Sequence, residues 1–195
     1  MGTRARHVVP FVLAAALVLG GCANFSPDYQ LTSEESFHAV ERLVIRQGGG
    51  GGVGAVRFTA GAPGGTVELR RTVNRNDVRA PGERVAQEGG TLTIDVDCPP
   101  TFGPGQCFID YDLTVPPGLP TQFDSAGEAE VVGVVGPLTV RAGDVVSVTV
   151  APGSGPYAVT AESGEGEASV DVPESPSGVP IDVRTRDRIR VGTAA

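Results

Sequence analysis

Side chains able to do chemistry are sparse in this 195-residue chain. Beyond residue 7 the only histidine is His38, so a Ser-His-Asp or Cys-His constellation would have to rest on it alone. A solvated loop residue is the simpler reading. Asp95 with Asp97 and Asp110 with Asp112 alternate along two strand-like segments and would gather four charges on the outer faces of neighbouring strands. Such a face is either a weak calcium site or an acidic surface relieved by nearby arginines, and the second is preferred. Arg184, Arg186, Arg188 and Arg190 occupy every second position near the C-terminus. On one strand they would project together as a basic row for phosphate-rich envelope polymers or lipid headgroups, unless a turn near Asp187 breaks it. The more conservative reading of the same row is protection of the last strand's edge, with some pairing to Glu162, Glu165 or Glu167. The run Gly48 to Gly52 lacks the Gly-Lys-Ser/Thr ending of a phosphate-binding loop and reads as a hairpin connection. No catalytic residues, metal site or cofactor follow from these patterns, and the chain is read as a non-enzyme.

Chemistry of a different kind is expected at the N-terminus. Arg4, Arg6 and His7 precede the apolar run Val8 to Leu19, which ends in Leu19-Gly20-Gly21-Cys22. Basic residues, a short apolar stretch and small residues at its end are the layout of a secretory signal peptide. With the cysteine directly after Gly21, the segment resembles the lipobox of bacterial lipoproteins. That resemblance implies diacylglycerol on the Cys22 thiol and cleavage before it. The apolar run is too short to span a hydrocarbon core of about 30 Å, whereas two or more acyl chains, at about 0.8 kcal/mol per buried CH₂, hold a protein stably. The expected organisation is therefore a signal peptide helix over 1–21, a flexible tether over 22–39 and a β domain over 40–195. The expected location is the extracytoplasmic face of the cell membrane.

Export changes the reading of the other thiols. Cys98 and Cys107 remain as a pair in an oxidising compartment, where a disulfide is the default. Leu92, Ile94, Val96 and Cys98 share one face of a strand-like segment, and Cys107, Ile109, Tyr111, Leu113 and Val115 share one face of the next. Both thiols are thus expected on the buried side of two neighbouring strands. A metal site lacks a nearby histidine, and a redox pair would need tighter spacing.

The elements that must position these groups are β-strands. Tryptophan is absent, aromatics are few and glycine and proline are abundant, so the core must be built from Val, Leu, Ile and Ala in thin layers. The formal net charge is −8, more negative once Arg4 and Arg6 leave, and this argues against nucleic acid as a partner. Strands are expected at Val40 to Arg46, Ala55 to Thr59, Thr66 to Val73, Glu83 to Gln87 and Thr91 to Cys98. The last two flank the hairpin signal Glu88-Gly89-Gly90. Thr32 and Glu35 form a weak capping box in the tether. The first half therefore reads as an antiparallel meander. After Val115-Pro116-Pro117-Gly118 a unit of strand, Gly-containing turn and strand recurs. Leu138-Thr-Val140, Tyr157-Ala-Val159 and Ile181-Asp-Val183 correspond, as do Val146-Ser-Val148, Ala168-Ser-Val170 and Ile189-Arg-Val191. Repeats of about 20 residues predict a stacked, solenoid-like β region, although a two-sheet sandwich would give similar alternation.

Ile109-Asp-Tyr-Asp-Leu-Thr-Val-Pro116, Ser125-Ala-Gly-Glu-Ala-Glu-Val131, Gly143-Asp-Val145 and Ser163-Gly-Glu-Gly-Glu-Ala-Ser-Val170 together resemble the putative-adhesin family of domains of unknown function. The resemblance implies an extracytoplasmic β-solenoid-like domain over about residues 40 to 191 and carries no active site with it. Pro137, Pro152 and Pro156 depart from the family pattern and would perturb the first coil. Two functions follow as expectations. One is a lipid-anchored protein with a structural, adhesion or envelope-interaction role, touching envelope proteins or polymers. The other is a ligand-binding lipoprotein of a sensing or transport system, which would need a concave pocket.

Overall fold

The computed structural model describes residues 29–48, 53–75, 81–98 and 107–194. The expected signal helix and Cys22 lie outside them. No helix occurs among the described residues, and fifteen strands form two mixed, open sheets.

The first half is divided between the two sheets. β1 (Tyr29–Phe37), β3 (Val53–Ala60), β4 (Val67–Arg75) and β7 (Cys107–Val115) lie in an eight-stranded sheet. β2 (Arg42–Gln47), β5 (Gly82–Glu88), β6 (Thr91–Asp97) and β8 (Thr121–Ser125) lie in a seven-stranded one. The second half continues the pattern. β9 (Ala129–Val134), β11 (Val146–Val150), β13 (Ala168–Asp171) and β15 (Ile189–Thr193) join the first sheet, and β10 (Leu138–Ala142), β12 (Tyr157–Ser163) and β14 (Val179–Thr185) join the second.

Consecutive strands thus form pairs, one member per sheet, and the pairs stack side by side in parallel. Their spatial order is β6/β7, β2/β3, β8/β9, β10/β11, β14/β15, β12/β13. The last pair in the chain is inserted between its two predecessors. The expected meander is corrected by this arrangement: β2 and β3 do not form a hairpin, and antiparallel pairing is confined to β1 with β4, β4 with β7 and β5 with β6. The β5–β6 hairpin is the one drawn from sequence, with Gly89 and Gly90 both at positive φ (51° and 77°), as a two-residue turn of matching twist requires. The stretch expected as a tether, with its capping box, instead forms β1 from Tyr29 onward.

Alternation decides what lies between the sheets. Leu43, Ile45, Leu92, Ile94, Phe123, Val140, Ile181 and Val183 from one sheet meet Val56, Leu113, Val131, Val148, Ile189 and Val191 from the other, all buried. Each such side chain contributes about 1.5–3 kcal/mol on burial. A parallel stack must also pack its corners closely. A Cβ at Gly143, in the β10–β11 corner, would sit 2.2 Å from the Ala126 carbonyl oxygen of the neighbouring corner. Serine completes these corners: Ser125 Oγ accepts from Gly127 N (3.2 Å) and donates to Glu128 O (2.8 Å), and Ser163 Oγ accepts from Gly166 N (2.9 Å) and donates to Asp187 O (2.7 Å). At Gly133, with φ 77°, β9 bulges by one residue against β11.

Pro137 does not disturb the strand pairing. It immediately precedes β10, level with Pro180 of β14 and with Pro120, which immediately precedes β8, and its carbonyl accepts from Thr121 N at 2.9 Å. At the first position of a strand the missing N–H is tolerated.

Candidate functional site

The arginine row predicted along the chain is not a row. Arg184 lies in β14, Arg186 and Arg188 in the turn, and Arg190 in β15 of the opposite sheet. The turn at Asp187 separates them, with Thr185 Oγ1 accepting from Asp187 N. Nor is β15 an edge, since it lies between β11 and β13. Of the acidic partners weighed for this row, Glu162 is the one that pairs, 3.5 Å from Arg184. The hydrogen bond to Asp182 and the charges of Asp182 and Glu162 hold the Arg184 guanidinium above its ordinary pKa.

A different row is assembled across the strands. The register aligns Glu162 (β12), Arg184 (β14), Arg141 (β10), Asp124 (β8), Arg46 (β2), Asp95 (β6) and Arg84 (β5) at one level. All project from the outer face of the seven-stranded sheet, because the residues before and after them turn inward. Arg141 lies 3.8 Å from Asp124 and Arg46 lies 3.4 Å from Asp95. Gln122 Nε2 donates to Asp124 Oδ2 at 2.6 Å, and Arg42 donates to Gln122 Oε1 at 2.6 Å. Open grooves flank Arg46. One, about 650 Å³, reaches Arg141 and Gly143, and the other, about 520 Å³, reaches Arg84 and Asp97. Local spacing marks basic residues at i and i+2 along one strand, whereas sheet order, which brings residues 46, 84, 141 and 184 to one level, is not written in it.

The acidic strands are likewise redistributed. β6 and β7 are in different sheets, so Asp95 and Asp97 do not share a face with Asp110 and Asp112. Arg46 relieves Asp95, and Arg57 lies 3.9 Å from Asp112. Asp110 Oδ1 accepts from Ala55 N at 2.9 Å, where β3 departs from its register with β7. Among the described residues no group of three His, Cys, Asp or Glu could hold a metal. His38 is exposed in a bend, with Nδ1 3.2 Å from Thr66 Oγ1.

Cys98 is buried, 1% exposed, at the end of β6. Cys107 opens β7 in the other sheet. The expectation of neighbouring strands is corrected: a bond between these cysteines would tie sheet to sheet.

A polar cluster that the sequence did not announce closes the antiparallel end. Arg71, on the inner face of β4, donates to Glu83 of β5, to Glu35 of β1 and, at 2.6 Å, to Ser33 Oγ. The Tyr111 hydroxyl, buried in β7, donates to Glu83 Oε1 at 2.8 Å. Burial first, then the Glu83 charge and hydrogen bond, push the phenol's pKa far above its ordinary value. This cluster holds four strands from both sheets and has the chemistry of a structural clamp.

No family model matches the chain, and no curated protein matches it. Among solved structures, a putative cell adhesion protein from Clostridium sporogenes is similar at 12% identity and a TM-score of 0.46, covering 84% of this chain and 100% of its own. A putative adhesin from Bacteroides fragilis is similar at 13% identity and a TM-score of 0.33, covering 84% of this chain and 97% of its own.

Proposed function

We propose that the chain is a non-catalytic lipoprotein, held through Cys22 at the extracytoplasmic face of the cell membrane, whose solenoid-like β stack displays a flat surface for adhesion or envelope contacts. The observation that carries this reading is the filled interior. With Phe123, Ile45, Val140 and Val183 each at most 1% exposed between the sheets, binding groups are left to the outer faces. The leader supplies the address, and β1, which begins seven residues after Cys22, brings the body close to the anchor. A disulfide between Cys98 and Cys107 would lock the two sheets together in that setting, stabilising by about 2–4 kcal/mol.

Labelled palmitate tests the anchor. The wild type is expected to take up label and fractionate with membranes, and Cys22→Ser to lose the label and leave the membrane fraction. A Cys22→Ser chain that remains membrane-bound overturns the anchor. Thiol alkylation of the denatured, unreduced protein tests the bridge: protection of both cysteines supports it, and alkylation of both refutes it.

A further inference from the structure

We infer that the outer face of the seven-stranded sheet binds a linear, phosphate-bearing polymer lying across the strands, with Arg184, Arg141, Arg46 and Arg84 as its anion-gripping residues. The inference rests on the display role proposed above and gives it a ligand.

Geometry comes first. Neighbouring strands lie about 4.8 Å apart. Arg141 and Arg184 are on adjacent strands, while Arg46 is two strands from Arg141 and Arg84 two strands from Arg46. The four guanidinium groups therefore mark a line about 24 Å long at right angles to the strands. The two grooves run beside this line, one from Arg141 past Asp124 to Arg46 and the other from Arg46 past Asp95 to Arg84, so a bound phosphate would exchange with these carboxylates for the guanidinium groups. A chain with repeated charges can lie along it, while a single small anion can engage one step.

The charges are available. Arg46, Arg141 and Arg184 have side chains 56%, 60% and 52% exposed, and their carboxylate partners are 3.2 to 3.8 Å away, Arg184 having two, Asp182 and Glu162. Exposed pairs of this kind are held weakly and can be exchanged for a ligand oxygen. Among the described residues Arg84 has no ion-pair partner within 4.0 Å. Like charges directly across adjacent strands are unfavourable, yet Arg141 and Arg184 stand so placed. Two guanidinium forks at one step suit a phosphate, whose non-bridging oxygens can each accept from more than one N–H donor. The opposite sheet differs. Its row holds two arginines, Arg70 and Arg57, with Glu34 and Asp112, and then gives way to Val132, Thr149 and Gly192, whereas four arginines, with Asp124 and Asp95 among them, run across six strands of the seven-stranded sheet.

The test uses the full-length protein in detergent, with long-chain inorganic polyphosphate, orthophosphate and phosphatidylglycerol vesicles as separate probes in titration calorimetry. The wild type is expected to bind polyphosphate at least tenfold more tightly than orthophosphate, with affinity falling steeply as salt rises. Arg46→Ser/Arg141→Ser should weaken polyphosphate binding tenfold or more, with an unchanged circular dichroism melt. Arg57→Ser/Arg70→Ser, on the opposite sheet, should change it less than twofold. Equal losses in the two double variants, no preference for the polymer over orthophosphate, or binding to vesicles alone would each overturn the inference. These outcomes are independent of palmitate labelling, so anchor and ligand can fail separately.

Discussion

At one end of the stack the outermost strands β12 and β13 leave Val159 and Ala161 half-covered and Val170 36% exposed. At the other end, antiparallel β4, β1 and β5 extend the sheets, and Arg71, Glu83 and Tyr111 join them across the interior. Both ends face the same difficulty, since a layer of aliphatics is buried only if another layer follows. The antiparallel end reverses strand direction and substitutes a polar clamp for a further aliphatic layer. The β12/β13 end thins out instead: β13 is exposed along its whole length and flanked by Glu165, Glu167 and Glu174. Acidic residues beside a strand whose outer edge is unpaired discourage edge-to-edge association. The middle of the molecule is held by repetition, and its ends are held by two different devices.

Substitutions can rank these regions. Phe123→Ala, in the middle of the stack, should have the largest effect, a loss of about 3–5 kcal/mol in urea unfolding. Arg71→Ala at the antiparallel end should cost about 3 kcal/mol, because the half-buried Glu83 loses its countercharge. Replacing both partners, Arg71→Met with Glu83→Met, should recover much of that loss. If it recovers nothing, the clamp is more than a charge pair. Tyr111→Phe should cost about 1–2 kcal/mol by depriving Glu83 of a donor.

The same tyrosine sets a pH signature. Its folded pKa is raised above the unfolded value of about 10. At higher pH the unfolded chain releases a proton that the folded one retains, so stability is full below about pH 10 and falls as pH rises beyond it. Tyr111→Phe should flatten that alkaline decline in thermal melts. The smallest effect belongs to the exposed end, where Val170→Ser should change stability by about 0.5 kcal/mol or less. A large loss there would mean that the end is covered in solution.

Period-2 alternation made the strands legible in the sequence, and the aliphatics of β6, β7, β10, β11, β14 and β15 fall on the inner faces that their spacing assigned. The corner motifs were legible too, because Ser125 and Ser163 cap turns that only close-packed neighbours require. Strand order was not. Alternation fixes which face a residue takes and says nothing about which strand lies beside it. The Arg184 to Arg190 row therefore dissolved at a turn while Arg46, Arg84, Arg141 and Arg184 came together from distant segments. β1 escaped notice for a related reason. From Gln30 to Ser36 its side chains are exposed, so that stretch carries no aliphatic period and is held by its backbone pairing with β4 and by Arg71.

The wedge position of β14 and β15 has a consequence for how the protein comes into being. β12 and β13 leave the ribosome before the strands that separate them from β10 and β11, so no in-register neighbour exists for them until the final segment has been synthesised. Assembly of this end must wait for the whole polypeptide. A premature stop before Val179 would remove the pair β14/β15 and leave β12/β13 as an unpaired tail, a ready target for proteolysis.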